Sequence, residues 1–377
     1  MDRETIQMVD LHRQYLRLKP ELDEVMQQVL DSCAFINGSP VQNFVTHLAD
    51  YLQVPYVIPC GNGTDALQIA LMALELQPGD EVILPAFTYI AAAEVIALLG
   101  LTPVLVDVDA HSFNIDVRKI ETSISAKTKA IIVVHLFGQS CDMEPIMALA
   151  EAYHLYVVED NAQSIGADYR FSDGHTQKVG TIGHIGTTSF FPSKPLACYG
   201  DGGALITSDA ELATRIRMIA NHGQERKYYH KLIGCNSRLD TLQAAILNVK
   251  LTYLDQFTAE RQKVAAYYDE CLKSCKQVIS PIKADYSTHV YHQYTIQVKE
   301  DKRDFIQVAL KEHGIPSMIY YPLPIHYQDA YKEIVRISGS LEEAVRLSSV
   351  VLSLPIHTEM PIEQQQFIMN TLMKVIS

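Results

Sequence analysis

Between about residue 55 and residue 220, short β-rich runs alternate with segments whose apolar residues recur at helical spacing, and this alternation constrains the fold more than any other feature. The runs fall at 81–84, 103–106, 130–135, 155–158, 187–191 and 204–207, with helix-like segments at 66–76, 89–99, 116–125 and 143–153. Strands separated by helices of this length imply a mostly parallel sheet covered on both faces. Residues 209–220 and 237–254 read as long helices, the second carrying the chain out of this unit. Beyond 255 the pattern changes to a strand at 291–298, a helix at 302–313, a Pro-rich loop at 316–324 and a final helix after Pro361. The expected fold class is α/β, with a large domain over 1–250 and a smaller C-terminal α+β domain over 251–377. Segment 1–50 is expected to pack on the smaller domain or on a dimer partner.

At 377 residues and 48% hydrophobic content the chain can bury a large core, and a formal charge of -13 argues against nucleic acid or an anionic membrane as partner. No stretch approaches the roughly 20 apolar residues of a membrane span. The charged start Met1-Asp2-Arg3-Glu4-Thr5 lacks an apolar signal core, and seven scattered cysteines read as reduced thiols; both point to the cytoplasm. Cys271 and Cys275, four apart in an apparent helix, lack the second pair that a zinc site needs, so no metal site is expected.

Chemistry enters with two stretches, Val157-Val158-Glu159-Asp160-Asn161-Ala162-Gln163 and Thr188-Ser189-Phe190-Phe191-Pro192-Ser193-Lys194. The first delivers an acidic residue at the carboxyl end of a strand, where open α/β sheets place ligands. The second delivers one lysine among aromatic and small residues, where an amine can be desolvated and made nucleophilic. A carboxylate to keep a pyridine nitrogen protonated and a lysine to form a Schiff base are the groups that pyridoxal phosphate (PLP) enzymes need most. Earlier, Pro59-Cys60-Gly61-Asn62-Gly63-Thr64-Asp65-Ala66-Leu67 is a glycine-bearing turn running into an apolar helix, an anion site by geometry and dipole. Singly, Asp160 could be a helix cap, Lys194 a solvated charge, and Thr64 or Asp65 an ordinary N-cap. Their occurrence together and in order favours a PLP site.

The order of parts resembles the fold-type-I, aspartate-aminotransferase-like enzymes, specifically the DegT/StrS-type sugar-nucleotide aminotransferases. The resemblance spans nearly the whole chain and rests on Gly61 to Leu67 as quoted, Pro85-Ala86-Phe87-Thr88-Tyr89, Val134-His135-Leu136-Phe137-Gly138-Gln139, the two stretches above, Tyr199-Gly200-Asp201-Gly202-Gly203, Gly234-Cys235-Asn236-Ser237-Arg238 and Tyr321-Pro322-Leu323-Pro324-Ile325-His326. It implies that Lys194 is the Schiff-base lysine and proton shuttle, and that Asp160 pairs with the pyridinium nitrogen. Gln163 would lie near the cofactor's ring oxygen, with Ala162 against one ring face and Tyr89 stacked on the other. Gly63, Thr64 and Ser189 would hold the phosphate. Asn236 would reach the phosphate of the neighbouring subunit, so the resemblance implies a homodimer with a shared active site, working with PLP and its amine form, pyridoxamine phosphate.

The segment from Asn221 to Gly234 is long, polar and aromatic for a connection inside a compact domain. The family uses this region for substrate, which points to Tyr229, His230 and Lys231; a mobile surface loop is the competing reading. Tyr321 and His326 would also face substrate, although a lone histidine is often structural. The resemblance is to enzymes that aminate a UDP-linked 3-oxo-N-acetylglucosaminuronate, with one departure: Leu232, beside Lys231, stands where that subgroup carries an arginine for the sugar carboxylate. Neither residue replaces a bidentate guanidinium. The implied function is transfer of an amino group from L-glutamate to a nucleotide-linked keto-sugar, most simply a UDP-3-oxo-sugar, for surface polysaccharide. A dTDP- or UDP-4-oxo-sugar and a non-catalytic PLP-binding regulator stay open as alternatives.

Overall fold

The computed structural model describes residues 5–299 and 301–376, so the charged start, apart from Thr5, lies outside the described residues. An eight-stranded sheet runs in the order Tyr56–Cys60, Gly203–Thr207, Ile185–Ser189, Tyr156–Asp160, Thr128–Val134, Glu81–Pro85, Thr102–Val106, Arg336–Ile337. Neighbours are parallel throughout, except that Gly203–Thr207 runs antiparallel to both of its partners. The mostly parallel sheet read from the sequence is therefore present. Its pleat sends alternate residues to opposite cores. Val82, Leu84, Ala130, Ile132 and Val158 join one cluster with the helices Gly63–Ala73 and Ala91–Leu98, whereas Ile83, Ile131, Val133 and Val157 join another with Met143, Ile146 and Ala150.

Several element boundaries differ from the sequence reading. The helix expected over 237–254 is two, Thr241–Leu251 and Leu254–Leu272, parted by a tight turn in which the Thr252 and Tyr253 amides donate to the Val249 and Lys250 carbonyls. Cys271 is in the second helix, but Cys275 lies beyond its end. The segment 116–125 holds one α-turn, Val117–Ile120, and one tighter turn, Glu121–Ser123. Helix Gly63–Ala73 starts three residues before the expected 66.

The N-terminal segment, which periodicity did not resolve into elements, forms helices Leu11–Ser32 and Ser39–Leu52. Leu18 and Leu22 pack on Ile246, Val249 and Phe257, and Phe44 and Leu48 join Phe190 and Leu247. Arg17 spans from this segment to Glu260 at 3.0 Å and Glu359 at 2.9 Å.

Past Leu254 a three-stranded antiparallel sheet, Val278–Ile279, Tyr294–Val298 and Val351–Leu354, has its own core with Tyr268, Ile368, Met369 and Leu372. The chain also returns to the large sheet there: Arg336–Ile337 is its edge strand, and Ile325, Leu341 and Leu347 belong to the large core. The strand expected to begin at 291 begins at Tyr294. Upstream the backbone is pinned elsewhere: the Val290 amide donates to the Gly138 carbonyl at 2.8 Å and the Gln293 amide to Phe137 at 3.2 Å. Gly138 permits this approach, having φ of +114° and no side chain where a Cβ would come 2.7 Å from the Tyr291 nitrogen.

Candidate active site

The strand directions bring the carboxyl ends of Tyr56–Cys60, Thr128–Val134, Tyr156–Asp160 and Ile185–Ser189, and the start of Gly203–Thr207, to one edge of the sheet. There a cavity of about 650 Å³ opens, lined among others by Gly63, Thr64, Tyr89, Asp160, Lys194 and Tyr321. Gln163, Ala162 and Ser189 complete the set of expected residues that meet in it.

One wall is the start of helix Gly63–Ala73. Asn62 caps it, its side-chain oxygen accepting from the Asp65 amide at 2.8 Å, in place of the Thr64 or Asp65 cap considered from the sequence. Asp65 instead accepts from the Ser237 hydroxyl at 2.6 Å, which in turn accepts from the Gly61 amide at 2.8 Å, so the turn is braced from below. Gly63 lies so close to Ser189 that a Cβ would come 2.7 Å from the Ser189 Cβ. Free amides at a helix start, a neighbouring hydroxyl at Thr64 and the Ser189 side chain make a cradle for an anion.

Lys194 is placed by a turn in which its amide donates to the Phe191 carbonyl at 2.8 Å, while Phe190 anchors the turn against the Phe44 ring at 5.3 Å. Among the described residues its Nζ has no hydrogen bond or ion pair. Burial pushes the Lys194 ammonium pKa down against the pull of Asp160, and burial pushes the Asp160 carboxyl up against the Ala162 amide and the charge of Lys194. The Ala162 amide donates to Asp160 Oδ1 at 3.0 Å. Gln163 is held at both ends, accepting from the Phe137 amide at 2.8 Å and donating to the Tyr321 hydroxyl at 3.2 Å. Tyr89 stands at the mouth, 58% exposed, its ring centroid 6.2 Å from that of Tyr321.

Other expected residues lie apart from this cavity. Asn236 is exposed, and the 221–234 segment forms a small hairpin of Gln224–Arg226 and Tyr229–His230. There Arg226 covers the Tyr229 ring at 3.8 Å and Lys231 pairs with Glu225 at 2.9 Å. Leu232 packs against the large core. His326 lines a different cleft with Tyr327, Leu341 and Arg346, where burial pushes its imidazole pKa down. The sequence reading missed His292, Gln293, Tyr320, Asp201 and Phe191, all of which line the cavity. The sequence pattern absorbs His292 and Gln293 into a strand; the glycine at 138, which lets their backbone close on Phe137, is the available signal.

The acceptor, the unpaired amine and the anion cradle face one cavity and fit the pyridine nitrogen, aldehyde carbon and phosphate of PLP. Residues 17–373 match the profile of the DegT/DnrJ/EryC1/StrS aminotransferase family. The chain belongs to that family. A pleiotropic regulatory protein of Geobacillus stearothermophilus is 47% identical, with 97% of each chain covered. The UDP-2-acetamido-2-deoxy-3-oxo-D-glucuronate aminotransferase of Pseudomonas aeruginosa is 46% identical over 93% of this chain and 95% of its own. The UDP-N-acetyl-3-dehydro-α-D-glucosamine 3-aminotransferase of Acidithiobacillus ferrooxidans is 42% identical over 95% of each. Among solved structures, NtdA of Bacillus subtilis with bound cofactor PMP superposes with a TM-score of 0.90 at 32% identity, covering all of this chain and 86% of that one. The DegT/DnrJ/EryC1/StrS family member described here is thus an aminotransferase, and pyridoxal phosphate is its cofactor. No helix among the described residues is long and apolar enough to cross a membrane.

Proposed function

We propose that this aminotransferase moves the amino group of L-glutamate to the C3 ketone of a UDP-linked sugar, that it works in the cytoplasm as a homodimer, and that its product feeds surface polysaccharide assembly. The observation that carries the chemistry is the unpaired, desolvated Lys194 amine facing the same cavity as the Asp160 carboxylate. Bound PLP supplies the carbonyl that accepts an amino group and the electron sink for loss of the substrate proton. Lys194 Nζ, favoured in its neutral form by burial, takes that proton from glutamate and returns one at the sugar carbon. Asp160 would lie beside the pyridine nitrogen and keep it protonated. Gly63, Thr64 and Ser189 would hold the phosphate, Ala162 and Tyr89 would cover the two ring faces, and Gln163 would lie near the ring oxygen with Tyr321 beside it.

C3 is favoured by the two relatives named for 3-oxo UDP-sugars. A neutral sugar is favoured over a uronate because Leu232 carries no charge and packs against the core, and Lys231 is already engaged by Glu225. The exposed Asn236, Tyr229 and His230, which do not line the cavity of their own chain, are suited to completing the site of a second copy. The regulatory name of one relative offers a non-catalytic reading, against which Lys194 and Asp160 both stand intact.

The test is turnover: purified protein with PLP, L-glutamate and a panel of UDP- and dTDP-linked 3-oxo and 4-oxo sugars, with and without a C6 carboxylate. Formation of 2-oxoglutarate and an aminated sugar only with a neutral UDP-3-oxo-sugar is expected. Preference for a dTDP- or 4-oxo sugar would replace this substrate, and no turnover with any donor would favour the regulator.

A further inference from the structure

Gln163 is clamped in one orientation. Its side-chain oxygen accepts from the Phe137 amide at 2.8 Å, so Nε2 is the atom that stands 3.2 Å from the Tyr321 hydroxyl. A flipped side chain would set two N–H groups against each other at Phe137. The Tyr321 oxygen therefore accepts from Gln163, and its own proton has to turn elsewhere. That hydroxyl has no other hydrogen-bond partner among the described residues, and Gln163 and Tyr321 both line the active-site cavity. Burial pushes the Tyr321 pKa up, so the group stays a phenol with a proton to donate.

The sheet says what that proton meets. Passing across it, Tyr56–Cys60 leads to the Gly63 and Thr64 cradle, Ile185–Ser189 ends at Ser189, Tyr156–Asp160 ends at Asp160, Thr128–Val134 leads to Phe137, and Glu81–Pro85 leads to Phe87. Tyr321 sits on the Phe87 flank, its ring centroid 5.9 Å from that of Phe87 and edge-on to it. The anion cradle and the Gln163–Tyr321 pair thus lie on opposite flanks of Asp160. A PLP ring carries its substituents in the same sequence. With its nitrogen at Asp160 and its phosphate arm toward Ser189, the oxygen on the far side of the aldehyde carbon falls toward Tyr321.

We propose that Tyr321 is the hydrogen-bond donor to the ring oxygen of PLP, and that Gln163 is a positioning residue acting through it, turning the Tyr321 proton into the cavity. Resting on the phosphate and pyridine placement proposed above, this moves the ring-oxygen contact from Gln163, where the resemblance puts it, to Tyr321. A ring whose nitrogen is kept protonated carries its oxygen as an anion, so the bond is charge-assisted and stronger than one between neutral groups. It also fixes which edge of the ring faces the cradle. The inference is independent of which keto-sugar is used.

The test measures binding of two probes that form no covalent bond with Lys194: pyridoxine phosphate, and its analogue lacking the ring oxygen. Full-length wild-type apoprotein should prefer the first by at least roughly tenfold. Tyr321→Phe should weaken the first by about that factor and leave the analogue unchanged. Gln163→Met should weaken the first by less, and should add nothing in the Tyr321→Phe background. Equal weakening of both probes by Tyr321→Phe would make Tyr321 a packing residue and overturn the proposal. So would a Gln163→Met loss that is the same with or without the Tyr321 hydroxyl, which returns the contact to Gln163. A crystal structure of the wild type with PLP decides the matter even if a variant misfolds. The ring oxygen within hydrogen-bond reach of the Tyr321 hydroxyl is expected. A phosphate at Gly63 and Ser189 with that oxygen out of reach overturns this inference alone, whereas a phosphate seated elsewhere overturns the placement beneath it too.

Discussion

His135 and Glu159 meet in complete isolation from solvent, Nε2 to Oε2 at 2.9 Å, one residue before the Asp160 of the active site. The Cys141 amide donates to His135 Nδ1 at 3.0 Å, so Nδ1 is the bare nitrogen and Nε2 donates to the carboxylate. Glu159 also accepts from the amides of Gly180 at 2.8 Å and Ile182 at 2.7 Å, and from that of Gly183. Within one dipeptide the strand's pleat thus separates two carboxylates: Glu159 ties down the loop before strand Ile185–Ser189, and Asp160 faces the cavity.

Glu159→Ala should therefore be far more damaging to stability than an ordinary core truncation. It strands a buried imidazole N–H and three loop amides, a loss of about 3–5 kcal/mol for a broken buried pair. Urea unfolding of the cofactor-free protein should show a correspondingly lower midpoint with little change in slope. A midpoint within experimental error of wild type would mean that the loop is held by other contacts.

Lys194→Ala should separate chemistry from folding. The side chain makes no hydrogen bond or ion pair among the described residues, so its loss should leave the circular dichroism spectrum unchanged. Turnover with L-glutamate should vanish, because among the described residues no other amine lines the cavity. Measurable turnover in this variant would move the proton shuttle to another group.

The sheet and its site were legible because both are written in local signals. Apolar runs near 81, 103, 130, 155, 187 and 204 named six strands, and the carboxyl-end rule placed Asp160 at the ligand edge. Strand Tyr56–Cys60 and the edge strand Arg336–Ile337 were not delineated: the first is five residues with a proline at 59, and the second is two residues whose place depends on chain returning from the distal core. His292 escaped for a related reason. Its neighbours Val290, Tyr291 and Tyr294 look like a strand, and only the non-local hydrogen bonds to Phe137 and Gly138 end that strand and turn the imidazole to the cavity. Asn236, His230 and His326 show the reverse limit, since a motif names a residue without fixing which cavity or which copy of the chain it serves.

Gly63→Ala should weaken the cofactor without unfolding the protein. The added methyl would come 2.7 Å from Ser189 Cβ and 3.3 Å from its Oγ, so either the helix start or the Ser189 hydroxyl must move away from the phosphate position. The helical backbone favours alanine over glycine by up to about 1 kcal/mol, offsetting part of the roughly 1–3 kcal/mol that the close approach to Ser189 costs, so the protein should fold with stability only moderately reduced. A titration of apoprotein with PLP should show an affinity lower by at least roughly tenfold, the effect of losing about 1.4 kcal/mol. An unchanged affinity would place the phosphate elsewhere.

Lys250 gives the protein a pH dependence of stability that is separate from catalysis. It lies on helix Thr241–Leu251, 1% exposed, with no hydrogen-bond partner for Nζ, and 4.3 Å over the ring of Tyr199, whose hydroxyl is also unpartnered. Burial pushes its pKa down to about 8 from an ordinary value of 10.5, with only a weak opposing pull from Cys198. Below pH 8 the folded and unfolded chains both hold the proton, and the full penalty of burying the ammonium is present. Between pH 8 and 10.5 the unfolded chain still binds the proton that the folded one has released, so this group makes stability rise with pH. The total is about 3 kcal/mol from the pKa difference, an upper figure because the ring face of Tyr199 already offsets part of the penalty. Lys250→Met, which keeps the stem and drops the charge, should raise the unfolding midpoint at pH 7 and flatten the difference from wild type by pH 10. If the two proteins instead keep a constant stability difference across that range, Lys250 is not releasing its proton on folding, and an acceptor for the ammonium must lie within reach of Nζ.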